Sequence, residues 1–271
     1  MLLTLQLEAR LPLQGPLLCN KLVRRPVSNR FKLAAHPQIM ARLARLYAPD
    51  MPQLVQARFA YPLAHPADPT PLDPLNQLTT WLRECALEQQ VTVHGWALLY
   101  DQLVLLATPA TRHGVSRLVQ AIGRRFATRL ASGRVFESRY RSALIQPGHW
   151  VLPALVWLDN LPVQHGYVEK AESWPWSSAC YHTGLNIQPH TWANDHPDYW
   201  QLGNTPFDRQ AVYRKRLAEG LGSSQRQRIE SALFGQWALG EDTFLHRLSA
   251  QATRRVTPAP RGRPRKQAMP E

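Results

Sequence analysis

Apolar and polar positions along the chain sort into alternating helix-like and strand-like stretches. The proline-rich segment PLAHPADPTPLDP (62–74) reads as a linker or loop. Asp73 followed by Pro74 marks a helix start, a capping residue before a proline at the first helical position. Leu75, Leu78, Leu82 and Cys85 then recur at helical spacing, and the pattern runs to about Gln89. VTVHGWALLY (91–100) and LVLLAT (103–108) read as two strands, with the polar pair Asp101–Gln102 at the bend between them. From Gly114 to Leu130 the apolar residues Val115, Leu118, Val119, Ile122 and Phe126 share one helical face, while Arg117 and Arg124 point away. RVFESRYRSALIQ reads as a loop entering a strand. Pro153 to Asn160 is an apolar helix that Leu161–Pro162 should end.

The texture changes toward the C-terminus. Helical patterns cover 207–219, 224–234 and 241–251, separated by glycine-containing turns. The tail TRRVTPAPRGRPRKQ is basic and proline-rich and is expected to lack fixed structure alone. At the other end, residues 1–50 hold the basic stretch KLVRRPVSNRFK and a short helical pattern, PQIMARLARLYA. No internal repeat is visible.

Composition narrows the partners. With 271 residues, 44% of them hydrophobic, the chain can build a substantial core. Lys plus Arg outnumber Asp plus Glu by 32 to 19, a formal net charge of +13. Such an excess points to polyanions first and acidic membrane surfaces second. No apolar run is long enough to span a bilayer. Glu8 and Arg10 interrupt the apolar N-terminus, so no signal peptide is expected. The three cysteines, Cys19, Cys85 and Cys180, are far apart and show no zinc-ligand spacing, which suits a reducing compartment.

Several side chains could carry chemistry, and each also has an ordinary reading. Asp101 and Gln102 suit a polar turn as well as a makeshift metal site. Tyr100, Tyr140 and Tyr167 are potential nucleophiles, but no companion base or metal set accompanies them, so they read as half-buried tyrosines. His94, before Gly95, has no partner at ligand spacing and reads as a hydrogen-bonded structural histidine. The basic series Arg112, Arg117, Arg124, Arg125, Arg129, Arg134, Arg139 and Arg141 has only Glu137 among it, which favours phosphate contact over an internally balanced surface. RGRPRK (261–266) has the form of an AT-hook core, or equally of a basic tail that binds any polyanion. Its glycine permits close approach to a narrow groove, and Arg261, Arg263, Arg265 and Lys266 would meet the negative potential of an A·T minor groove. The helices around WALG (237–240) could form a helix-turn-helix-like reader or a packing unit.

The order of these pieces resembles the REP-associated tyrosine transposases, a branch of the HUH single-strand-DNA transposase superfamily, from about Gln56 to Lys266. WLRECALEQQVTVHGWALL is similar to that family's helix-then-strand entry. GRVFESRYRSALIQ is similar to its basic loop and strand, and LVWLDNLPVQHGYVEKAESWPWSSACYHTG to its nucleophile helix and the Trp-Ser-Ser segment after it. WALGEDTF, RRVTP and RGRPRK resemble the C-terminal extension of longer members. The resemblance implies an α+β fold, an antiparallel sheet with packed helices. Residues 1–55 are not covered by the resemblance, and the expected layout is an N-terminal basic extension (1–55), a transposase-like α+β domain (56–185), a helical C-terminal module (186–252) and a basic tail with the AT-hook-like core (253–271).

In that family a strand carries His-hydrophobic-His within a stretch like MPNHVHLLLTP. The histidines hold a divalent metal, a helix tyrosine attacks the scissile phosphate, and a polar residue one turn on completes the site. Laid on that pattern, LYDQLVLLATP puts Gln102 and Val104 at the histidine positions. The helix puts Trp157 at the tyrosine and Leu161 at the third ligand. Valine and leucine offer no lone pair, tryptophan is a donor only, and one glutamine oxygen is a weak ligand alone. The expectation is therefore a degenerate site: no catalytic residue, no metal and no cofactor. The expected partner is DNA, as a hairpin, a single strand or an A·T-rich duplex, with no membrane, for a monomeric or homodimeric protein that is bacterial and cytoplasmic by resemblance. The alternative is an active metal-dependent transposase with a non-standard site.

Overall fold

The computed structural model describes residues 44–63, 72–130, 133–185, 192–252 and 254–259. These belong to one compact unit, 43–271. Its centre is a five-stranded sheet of order β2-β3-β1-β4-β5. The strands are β1 (Gln53–Arg58), β2 (Val91–Leu98), β3 (Gln102–Pro109), β4 (Arg141–Ile145) and β5 (Ala238–Leu239). The long pairings are antiparallel, as expected for the α+β class. The short β5 departs from that, running parallel to β4 with Leu144 opposite Ala238.

The helices α1 (Leu72–Glu88) and α2 (Gly114–Leu130) form because each carries a single apolar stripe. Leu75, Leu78, Leu82 and Cys85 of α1 and Leu118, Ile122 and Phe126 of α2 are all at most 2 % exposed, so the anticipated faces are the buried ones. Fully burying one such aliphatic side chain contributes about 1.5–3 kcal/mol. α2 begins against Val91 and Pro109: a Cβ on Gly114 would meet both. α3 (Val151–Asp159) lies across the sheet from it. A Cβ on Gly95 would stand 2.6 Å from Leu155 of α3, and Gly95 is opposite Leu106 in the ladder. Leu106 and Pro109 are an odd number of positions apart on β3, hence on opposite sheet faces.

Three features differ from the sequence pattern. β1 is not announced by it, because Gln53 and Gln56 interrupt its apolar run; both glutamines are buried all the same. This strand also straddles the boundary drawn at 55/56. Leu161–Pro162 does not simply stop the helix: proline is tolerated in a first turn, and a new one-turn helix α4 (Leu161–Gln164) starts there. Of the helical pattern at 37–48, the described residues 44–48 are not helical. Leu46 and Ala48 instead pack with Leu144, Ala238, Phe244, Leu248 and Val256.

The short α5 (Ala179–His182) and α6 (Pro197–Trp200) precede three C-terminal helices: α7 (Pro206–Glu219), α8 (Ser223–Gly235) and α9 (Asp242–Gln251). α7 starts on a capping box, with Thr205 and Asp208 bonding each other's backbone amides and Pro206 in the first turn. The residues between α8 and α9 do not make a tight helix-turn-helix corner. WALG supplies β5, so these helices are continuous with the sheet rather than detached from it.

Candidate nucleic-acid interface

The register of β1 against β3 places Gln56 opposite Val104 and Arg58 opposite Gln102. All four therefore share the face covered by α3, because directly paired residues point the same way and alternate residues share a side. Val104 is fully buried and Gln102 is 5 % exposed. The Gln56 carboxamide donates to Gln102 Oε1 at 2.6 Å. His165 approaches from just beyond α4. Its Nδ1 lies 3.0 Å from the Leu161 carbonyl and must donate there, which leaves Nε2 to accept from the Gln102 amide at 3.3 Å. Both ends of Gln102 are thus engaged.

Trp157 is buried, and its indole N–H donates to Glu230 of α8 at 3.4 Å. Leu161 is buried as well. The side chain that reaches Gln102 from the helix is therefore His165, one turn beyond Leu161. Helical spacing from Trp157 does not identify it, because α3 ends at Asp159 and His165 caps the separate α4. As a divalent-metal site this row does not fit. Gln102 offers one neutral oxygen already bonded to an amide, and Val104 and Leu161 offer none. Among the described residues no group of three or more His, Cys, Asp or Glu side chains could hold a metal ion.

The other candidates of the hairpin are tied into structure. Asp101 pairs with Arg58 at 3.0 Å through Oδ2, while its buried Oδ1 has no partner. Tyr100, Tyr167 and Trp174 form an aromatic cluster with ring centroids 4.8–5.4 Å apart. Burial, then the nearby Asp101 charge, pushes the Tyr167 hydroxyl up. Burial likewise raises Tyr140 and outweighs Arg45, whose guanidinium stacks 3.5 Å over its ring. Neither phenol is activated as a nucleophile by these surroundings. His94 is hydrogen-bonded at both ring nitrogens, to the Asn194 carbonyl at 2.8 Å and Thr108 Oγ1 at 2.9 Å. Burial lowers it to about 4, so it is neutral near pH 7.

Sequence reasoning missed a buried polar knot behind α3. Asp159 is fully buried at the end of an otherwise apolar helix. One of its oxygens accepts from Ser178 at 2.6 Å; the other meets His182 Nδ1 at 2.7 Å and the Tyr213 hydroxyl at 2.7 Å. His182 Nε2 lies 3.0 Å from the His94 carbonyl, and Tyr199 donates to the His182 carbonyl at 2.6 Å. Burial alone would lower His182, but the Asp159 carboxylate outweighs it and holds the ring's pKa up. Ser178 bonds the aspartate rather than the histidine, and all three groups are at most 1 % exposed, so the knot joins α3, α5, α7 and β2 and has no room for a substrate. The signal was available: a lone acid in the run VLPALVWLD calls for a buried partner.

The arginine series divides. Arg125 is neutralised, because Glu84 and Glu88 of α1 both pair with it, the latter at 2.7 Å. These acids are remote in sequence, so the count along 112–141 overstated the free charge there. Arg129 donates to Gln77 at 3.0 Å, and Arg134 folds back on the carbonyls of Phe136 and Glu137. Arg141 stacks on Phe234 with 5.2 Å to the ring centroid. Arg112, Arg117, Arg124 and Arg139 are exposed and form no ion pair with a described residue. Arg117 and Arg124 lie two turns apart on the outer face of α2. Arg261, Arg263, Arg265 and Lys266 lie outside the described residues.

No protein-family model matches the sequence, and no curated protein matches it. Two solved structures are similar in part. One is a REP-associated tyrosine transposase bound to a REP hairpin, 16% identical with a TM-score of 0.46, over 58% of this chain and 93% of that one. The other is a protein named as a transposase from Deinococcus radiodurans R1, also 16% identical, with a TM-score of 0.30 over 37% of this chain and 83% of that one.

Proposed function

We propose that the chain is a DNA-binding protein of transposase descent that recognises hairpin or single-stranded DNA and does not cut it. One observation carries the reading. The row where the family's chemistry would sit is filled by Gln102, Val104, Trp157 and Leu161, all at most 5 % exposed. It has no ionisable nucleophile and no free ligand set for the metal that polarises a phosphate. Supporting the DNA-binding half are the net charge of +13 and the exposed arginines of the 112–141 series that form no ion pair with a described residue, Arg112, Arg117, Arg124 and Arg139. Such residues bind through phosphates and release counterions.

The test uses purified full-length protein and labelled hairpin oligonucleotides from its own genomic neighbourhood, with magnesium or manganese present. Gel shift at fixed salt reads binding, and a denaturing gel reads nicking and any covalent protein–DNA adduct. Hairpin-selective binding without cleavage is the expected result. Cleavage or an adduct would overturn the inactive reading and redirect the search to Tyr140 and Asp101. Absence of any DNA affinity would overturn the reading altogether.

A further inference from the structure

The sheet has a polar concavity on the face opposite the Gln102 row. Gln53 opens β1 and is opposite Ala107 on β3, an odd number of positions from Val104, so it points toward α2 rather than α3. There a cavity of about 180 Å³ is lined by Arg45, Gln53, Arg112, His113, Ser116 and Tyr140, without an acid. The N-terminus of α2 ends in it. A helix start leaves its first amides without intrahelical partners and carries partial positive charge, and the first turn of α2 contains no Asp or Glu to answer it.

Two further groups in the cavity wall lack partners. The Arg45 guanidinium is held over Tyr140, and one of its terminal nitrogens donates to the Tyr140 carbonyl at 3.2 Å. Its Nε is nevertheless buried without a hydrogen bond. The Gln53 carboxamide belongs to a residue only 5 % exposed, and no hydrogen bond ties it to a described residue. A buried, unpartnered donor such as Arg45 Nε is destabilising. Burial does lower the Arg45 pKa, with Arg139 adding to the effect. A single tetrahedral anion would answer all of these at once. Its oxygens could accept from Arg45, Gln53 and the first-turn amides, and its charge would offset Arg112 and the helix dipole.

We propose that this cavity is a phosphate-binding site that seats one backbone phosphodiester of the bound nucleic acid. The assignment rests on the DNA-binding reading above. It adds that one contact is a built pocket on the α2 face, far from the row that the family's chemistry would use. Arg117 and Arg124, on the outer face of the same helix, extend a basic track away from it.

The experiment has two arms. In the first, ¹⁵N-labelled full-length protein is titrated with inorganic phosphate against sodium chloride at matched ionic strength. The Gln53 side-chain amide and the Val115 and Ser116 backbone amides are followed. Saturable shifts with phosphate and not with chloride are expected, about tenfold weaker in an Arg112→Gln, His113→Gln double variant, whose two residues are exposed. Gln53→Met is the interior control and should weaken phosphate binding with the basic rim intact. No saturable shift in the wild type overturns the site, whatever DNA does. In the second arm, hairpin binding is measured against salt for wild type and double variant. The slope of log K against log salt should become shallower by about 0.7–0.9 in the variant, the loss of one phosphate contact. Phosphate saturation with an unchanged slope overturns the phosphodiester assignment and makes free phosphate the ligand. A wild type that binds phosphate and no DNA overturns both that assignment and the DNA-binding reading.

Discussion

The two faces of the sheet handle polar groups in opposite ways. On the α3 face enclosed polar side chains bond one another, Gln56 with Gln102, Gln102 with His165, and Asp159 with Ser178, His182 and Tyr213, and a neutral amide oxygen, Gln56 Oε1, is left buried and unbonded. At the α2 end of the other face Arg45 Nε is buried and unanswered, and Arg112 and His113 stand exposed beside it. A closed set of hydrogen bonds stabilises a fold and excludes ligands; an open set of donors is held for something that arrives. Burial alone does not separate the two, because Gln53 and Gln102 are equally buried at 5 % exposure. Partnership does.

The sharpest way to break this comparison is at the knot. Asp159→Ala leaves His182, Ser178 and Tyr213 buried without their acceptor. Breaking a buried charged pair in this manner costs about 3–5 kcal/mol. Urea unfolding of the variant should show a loss of that size, whereas the exposed Arg112→Gln should stay within about 0.5 kcal/mol of wild type. Equal effects would mean that the knot is not the structural element its bonds suggest.

Trp157 provides the next test. Trp157→Tyr keeps an aromatic ring but gives up area in a packed site, at a cost of about 1–3 kcal/mol. The new hydroxyl would meet Glu230 rather than a phosphate. A denaturing gel should therefore show no DNA adduct from this variant. An adduct would show that the α3 face opens to a substrate.

A pH series reads the same face through its two histidines. His94 has its folded pKa lowered to about 4, below an unfolded value near 6.5. Its contribution is full above the unfolded value and is lost as pH falls from about 6.5 toward 4, in total about 3 kcal/mol. His182 is shifted the other way, upward by Asp159. Its contribution is full below about 6.5 and declines as pH rises through the raised folded value. Stability should thus be greatest near pH 6.5. His94→Gln should flatten the acid limb and leave the alkaline one, as measured by urea midpoints at each pH.

The chain announces α1, α2 and the α7–α9 helices because each carries an apolar stripe at helical spacing. It conceals β1, where two buried glutamines break the apolar run. The Gln102–Val104 hairpin and the Trp157 helix are legible as elements. That His165 meets Gln102 follows only once the helix is docked on the sheet. The charge count along 112–141 misled for a related reason. Salt bridges are made in space, and the acids that neutralise Arg125 sit about 40 residues earlier on α1. The pocket could not be read at all, since Arg45, Gln53, Arg112 and Tyr140 come from four separate segments.

The smallest expected effect separates neighbours on one helix. Arg124 is exposed and forms no ion pair with a described residue, whereas Arg125 is clamped between Glu84 and Glu88. Arg124→Gln should leave stability within about 0.5 kcal/mol and reduce the salt slope of hairpin binding by up to about 0.9. Arg125→Gln should do the reverse. Its pairs are partly exposed, so their loss costs no more than about 1 kcal/mol, and the salt slope should stay unchanged. The two substitutions remove the same charge from adjacent positions, so total charge cannot explain a difference between them. Equal slopes would mean that DNA senses the net charge of α2 alone, and that pairing across to α1 does not decide which arginines reach a phosphate.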